Sequence, residues 1–139
     1  MTLAFAVKSK TLAKRDKDRE DQALKWVKDV TGLSVPDDVD YVEALKDGQL
    51  LCTLMNKLVP GSVRKIHTAG PDFKMIENIN GFIKGAKDYG VAMNDVFVVT
   101  DLWEEKDIAK VTDTIYHLGR LVHKHPEFKG PFLVPKPAT

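Results

Sequence analysis

One cysteine, Cys52, stands in the whole sequence, so no disulfide can form within the chain. A lone thiol fits a reducing, intracellular compartment better than a secreted one. Cys52 lies inside the apolar run Leu50, Leu51, Cys52, Leu54, Met55, and a buried, inert thiol is expected there. Long hydrophobic runs are missing as well: no stretch approaches the roughly 20 apolar residues that a membrane-crossing helix needs. The mildly apolar start, Met1 to Val7, has its basic residues after it instead of before it, the wrong order for a secretory signal.

Glycine-rich nucleotide motifs are also wanting. Neither G-x-x-x-x-G-K-[ST] nor G-x-G-x-x-G occurs, which argues against phosphate-loop and dinucleotide chemistry. The four histidines are His67, His117, His123 and His125; the last two stand two residues apart and would not share a helix face, so no metal site is expected. Asp37, Asp38 and Asp40 cluster, yet the glycine and distal glutamate of a calcium loop are absent, and a solvated loop accounts for them. No nucleophile, base and orienting partner can be assembled locally. The chain is therefore expected to be no enzyme and to carry no cofactor.

What the sequence does contain is the composition of one globular domain: 139 residues, 43% hydrophobic and 29% charged. A chain of this size buries roughly two-thirds of its unfolded surface and needs neither metal nor disulfide to hold together. The net charge of +1 hides two basic ends. Residues 1–20 carry Lys8, Lys10, Lys14, Arg15, Lys17 and Arg19 against three acids, and residues 120–139 carry Arg120, Lys124, Lys129 and Lys136 against Glu127. Such clusters steer a protein toward an acidic surface. The arm lacks interleaved aromatics and no groove-reading motif is present, so no nucleic acid is expected as partner.

Apolar residues recur at helical spacing in four segments. The first, from about Asp18 to Thr31, carries Ala23, Val27 and Val30 with Leu24 and Trp26, and stops at Gly32. The second, Gly48 to Leu58, is expected to open on Asp47 as cap and to lie at the centre of the fold. The third runs from about Met75 to Tyr89, with Ile76, Ile79, Phe82, Ile83 and Ala86 inward. The fourth places Ile108, Val111, Ile115, Leu118 and Val122 at steps of three and four behind Asp107 as N-cap, and ends by Pro126. Short turns at Tyr41 to Lys46 and at Thr100 to Glu104, the latter capped by Thr100, fill the gaps. Phe97-Val98-Val99 comes nearest to a strand but is too short to make a sheet.

Several motifs now occur in order: Trp26 in the first helix, Leu45-Lys46-Asp47-Gly48-Gln49-Leu50-Leu51-Cys52, then Leu54-Met55-Asn56-Lys57-Leu58. Phe73-Lys74-Met75-Ile76-Glu77-Asn78-Ile79 follows, then Phe82, Tyr89-Gly90-Val91, Asp101-Leu102-Trp103-Glu104, Lys106-Asp107, Val111, Leu118-Gly119-Arg120 and the tail Gly130-Pro131-Phe132-Leu133-Val134-Pro135-Lys136. Over nearly its whole length the chain resembles the calponin and transgelin type of calponin-homology domain. The resemblance implies an all-α fold of four main helices with short connecting helices. It divides the chain into a basic arm (1–17), the domain (18–126) and a C-terminal extension (127–139). Trp26 should sit in the core with its indole N–H on an acceptor, Asp47-Gly48 should make a sharp turn into the second helix, and Phe73 should dock its loop onto the core.

For function the resemblance implies a cytoplasmic, cytoskeleton-associated, non-enzymatic module whose first partner is the actin filament (F-actin). A signalling protein or a phosphoinositide-rich membrane surface is the alternative partner, and microtubules are the third. The candidate contacts are Lys8, Lys10, Lys14, Arg15 and Lys17 in the arm, with Lys110, Arg120 and Lys124 along the outer side of the last helix. One domain without an internal repeat, ending at Thr139 before any calponin-like repeat, is expected to act as a monomer and bind weakly, at micromolar affinity or below. Exposed charge contacts of this kind weaken as salt rises.

Overall fold

The computed structural model describes residues 14–137, and among them there are six α-helices and no strand. They are α1 (Lys17–Thr31), α2 (Tyr41–Lys46), α3 (Gln49–Leu58), α4 (Asp72–Tyr89), α5 (Val99–Trp103) and α6 (Ile108–Leu121), the last running into a 3-10 turn at Val122–Lys124. The four main helices match those expected from periodicity, and the two short connecting helices match what the resemblance implied. Helix α1 is capped by Asp16, whose carboxylate accepts from the Arg19 N–H at 3.2 Å, and it closes on Gly32 in the left-handed region. Helix α6 is capped by Asp107 in the same way, at 3.1 Å from the Lys110 N–H.

Helix α3 is the centre of the fold. It packs against α4 on one side and α1 on the other, and Leu50, Leu51, Cys52, Leu54, Met55 and Leu58 are all buried on it. Cys52 is fully enclosed, its Sγ donates to the Asn78 carbonyl at 3.0 Å, and burial pushes its thiol up to about 12. The thiol is therefore inert at neutral pH, as its apolar neighbours predicted.

Three local expectations need correction. Asp47 does not hold the N-cap position of α3; Gly48 does, at φ 76, while Asp47 closes α2, although its carboxylate still accepts from the first N–H of α3, that of Gln49, at 3.0 Å. Thr100 does not cap α5, because the Asp101 carboxylate reaches back to the Val98 N–H at 2.9 Å and the helix starts at Val99. Phe73 does not hold a loop on the core. Helix α4 begins three residues earlier than expected, directly after Pro71, so Phe73 falls in its first turn with 57% of its surface exposed.

The segment after Pro126 lies against the helices. The Trp26 indole, 2% exposed, donates to the Pro131 carbonyl at 2.9 Å, and Leu133 sits over Gly119, where a Cβ would come within 2.9 Å of it. His123 Nε2 lies 2.8 Å from the Val134 carbonyl and stacks on Phe132 at 4.8 Å. The acceptor that the sequence demanded for Trp26 thus comes from residues more than a hundred positions away.

Candidate partner-binding surface

Among the described residues no side chains assemble into a metal site of three or more His, Cys, Asp or Glu, and no helix is long and apolar enough to cross a membrane. The candidate cations divide sharply by what holds them. Lys8 and Lys10 lie outside the described residues. Lys14 is exposed with no ion-pair partner among the described residues, whereas Arg15 is committed to the fold. Its Nε and Nη2 donate to both oxygens of Glu20 at 2.8 Å, and that carboxylate is buried. Hydrogen bonding to Glu20 holds the Arg15 guanidinium above its ordinary pKa. Lys17 pairs with Asp21 one turn on, an exposed pair that adds little and is easily opened.

This contrast has a direct consequence for mutation. Arg15→Ala strips the partner from a buried carboxylate and is expected to lower stability by about 2 kcal/mol, less than for a fully buried pair because the arginine is half exposed. Lys14→Ala next to it is expected to change stability by less than about 0.5 kcal/mol. Urea unfolding of the two variants distinguishes them, and equal effects would remove the structural role assigned to Arg15.

On α6 the outward stripe is Lys110, Asp113, His117 and Arg120, at helical steps of three, four and three. Lys110 Nζ reaches the Asn94 carbonyl at 2.6 Å, Arg120 Nη2 lies 3.1 Å from His117 Nδ1, and Lys124 is exposed in the turn beyond. Arg19 of α1 joins this stripe across the domain. Its guanidinium bonds Asp113 at 2.8 Å and lies 4.3 Å from the centre of the Tyr116 ring, while the Tyr116 hydroxyl donates to the Arg19 carbonyl at 3.3 Å. The beginning of α1, one turn after Lys14, is therefore clamped to the middle of α6.

Residues 17–124 match the family described as "Calponin homology (CH) domain". That range runs from the first residue of α1 to the last of the turn after α6, and so takes in every helix described above. The chain belongs to the calponin-homology family. It is 48% identical over 138 residues to muscle-specific protein 20 of Drosophila melanogaster, covering 99% of this chain and 75% of that protein. It is 40% identical over 117 residues to calponin-2 of Mus musculus, covering 84% of this chain and 38% of that protein. Among solved structures, the calponin-homology domain of an IQGAP protein from Schizosaccharomyces pombe superposes with a TM-score of 0.71 at 26% identity, over 84% of this chain and 72% of that one.

Within this calponin-homology chain the sequence reading missed Arg19 as the link between arm and last helix, and it missed Asn78. Asn78 sits mid-helix on the same face of α4 as Phe82, a position where an amide among apolar neighbours signals a buried polar role. It is 1% exposed. Its amide donates to the carbonyls of Asp47 and His67 at 2.9 and 2.8 Å and accepts from the His67 N–H at 2.8 Å. One side chain thus ties α4 to the α2–α3 corner and to the segment between α3 and α4. Calponin-homology proteins of the calponin and transgelin type are cytoskeleton-associated, and these ties hold such a scaffold in shape.

Proposed function

We propose that this chain is an actin-filament-associated module that binds through a basic face formed where the start of α1 meets α6. The observation that carries the reading is the Arg19–Asp113 bridge, which holds the start of α1, just after the arm, against the helix that bears Lys110 and Arg120. Without it the two basic sets would be separate features of the sequence. Lys14, Arg120 and Lys124 are all exposed and none holds a buried partner, so they are free to meet acidic groups on a filament. Lys8 and Lys10 extend the same basic set in the residues before Lys14. Membership of the calponin and transgelin type supports a cytoplasmic, cytoskeletal location and a non-enzymatic role.

Binding is expected at micromolar affinity or weaker and to fall as salt rises, because each contact is solvent-exposed. The test is sedimentation of the chain with actin filaments at low and near-physiological salt, with microtubules alongside. Lys14→Glu, Arg120→Glu and Lys124→Glu combined should weaken pelleting by at least about tenfold while leaving thermal stability unchanged. Saturable nanomolar binding at physiological salt contradicts the weak, electrostatic mode. No pelleting with actin at either salt moves the assignment to an adaptor for a protein or an acidic membrane, and pelleting with microtubules alone moves it to tubulin.

A further inference from the structure

A second surface of this chain carries charge that the filament reading does not use. Between the segment that follows α3 and the outer face of α4 runs a groove of about 590 Å³. One wall presents Arg64 and Lys65, both exposed and neither ion-paired among the described residues; the other presents Lys84. The floor is open because Gly81 has no side chain, and a Cβ there would already touch Val63 at 3.4 Å. The only acid lining the groove, Glu77, is occupied by His67, whose Nε2 lies 2.8 Å from its carboxylate. Lys84 pairs with Asp88 at 2.9 Å, but both are well exposed, so the pair opens at a cost under about 1 kcal/mol.

The wall bearing the two free cations is fixed in place at both ends. Asn56 accepts from the Val63 N–H at 2.7 Å and donates to the Val63 carbonyl at 3.0 Å, and Asn78 grips both backbone groups of His67. A segment held this way loses little freedom on meeting a ligand, which favours binding. Glu77, Gly81 and Lys84 of the opposite wall follow one another at helical steps of four and three, and Phe73, four residues before Glu77, lies on the same stripe of α4. Phe73, the exposed aromatic that does not serve the core, thus stands one helical turn before Glu77, just beyond the residues that line the groove. An exposed aromatic beside a charged trough is the composition of a protein-binding anchor.

We infer that this groove is a docking site for an acidic segment of a partner protein, one that sets an apolar side chain against Phe73 and lays its carboxylates along Arg64, Lys65 and Lys84. A phosphate group alone would satisfy the cations but leave Phe73 unused, and the aromatic is what selects a peptide. None of these residues belongs to the basic face assigned to filaments, so the two sites are separable by mutation.

The probe is a fluorescein-labelled peptide of glutamate and aspartate with one central leucine, followed by fluorescence anisotropy at low salt. Saturable binding is expected, reduced at least about tenfold by Arg64→Glu with Lys65→Glu and at least about fivefold by Phe73→Ser or by serine in place of the peptide's leucine. All three positions are exposed, and circular dichroism melts should match the unsubstituted chain. Lys14→Glu, Arg120→Glu and Lys124→Glu together should leave peptide binding unchanged, whatever they do to filament pelleting. Loss of peptide binding in that triple variant, or binding indifferent to Phe73 and to the leucine, overturns the assignment. Binding of phosphatidylinositol bisphosphate vesicles through Arg64 and Lys65, with no peptide binding, overturns it in favour of a lipid headgroup.

Discussion

Gly48→Ala is expected to cost about 4 kcal/mol and lower the melting temperature by roughly 12 °C in a chain of this size. Two penalties act at once. The backbone at Gly48 has φ 76, a conformation that costs a residue with a Cβ about 1–3 kcal/mol. A Cβ built there would also come within 2.6 Å of the Asn78 Cβ and 2.9 Å of the Ile79 backbone nitrogen, and neither atom is a flexible side-chain end that can swing aside. Helix α4 would have to shift away from α3, an overpacking cost of about 1–3 kcal/mol. Gly61→Ala is the matched control: φ is 80, but nothing lies within 4 Å of its Cβ position, so only the backbone penalty remains. A thermal melt that places the two variants within a few degrees of each other would show that the close approach of α4 is not tight.

Asn78→Ala is expected to lose about 3 kcal/mol by urea unfolding. The substitution removes both donors and the acceptor that satisfy Asp47 and His67, and a buried polar group left without a partner costs about 1–3 kcal/mol. The shape-conserving variant isolates the hydrogen bonds from the volume. Asn78→Asp keeps the acceptor for the His67 N–H but aims an ionised oxygen at two carbonyls, so its folded form should favour the protonated acid. Raising the folded-state pKa of that carboxyl makes the variant lose stability as pH rises, and the deficit relative to asparagine should be smaller near pH 4 than at pH 7. A deficit under about 1 kcal/mol for Asn78→Ala, or one for Asn78→Asp that does not change with pH, would show that water replaces these bonds.

Helix placement was readable before any coordinates because it depends on spacing within a segment. The steps of Ile108, Val111, Ile115, Leu118 and Val122 marked the buried face of α6, and all five are buried. Tyr41–Lys46 was expected as a short turn and is a short helix. Helix starts were less visible. Asp47 and Thr100 have the chemistry of caps, yet the caps fell elsewhere because backbone geometry at Gly48 and the reach of Asp101 decided them. Phe73 resembled a core aromatic by type. Its exposure followed from where α4 begins, which Pro71 sets, and periodicity alone put that start three residues late.

The candidate contact residues show the same division more sharply. Charge counting placed Lys14, Arg15 and Lys17 in one basic arm, because a count treats every cation as equivalent. Folding separates them: Arg15 closes on buried Glu20, Lys17 pairs along its own helix, and Lys14 stays exposed. The groove beside α4 was not visible at all, since Arg64, Lys65 and Lys84 come from segments about 20 residues apart and are spread evenly enough to escape a search for clusters. By itself the sequence determined the family, the helical class and the core face of each main helix. These follow from short-range periodicity and ordered motifs, which survive in one dimension. Only the tertiary structure decided which charges are spent inside the fold and which stay exposed, because that depends on neighbours brought together across tens of residues.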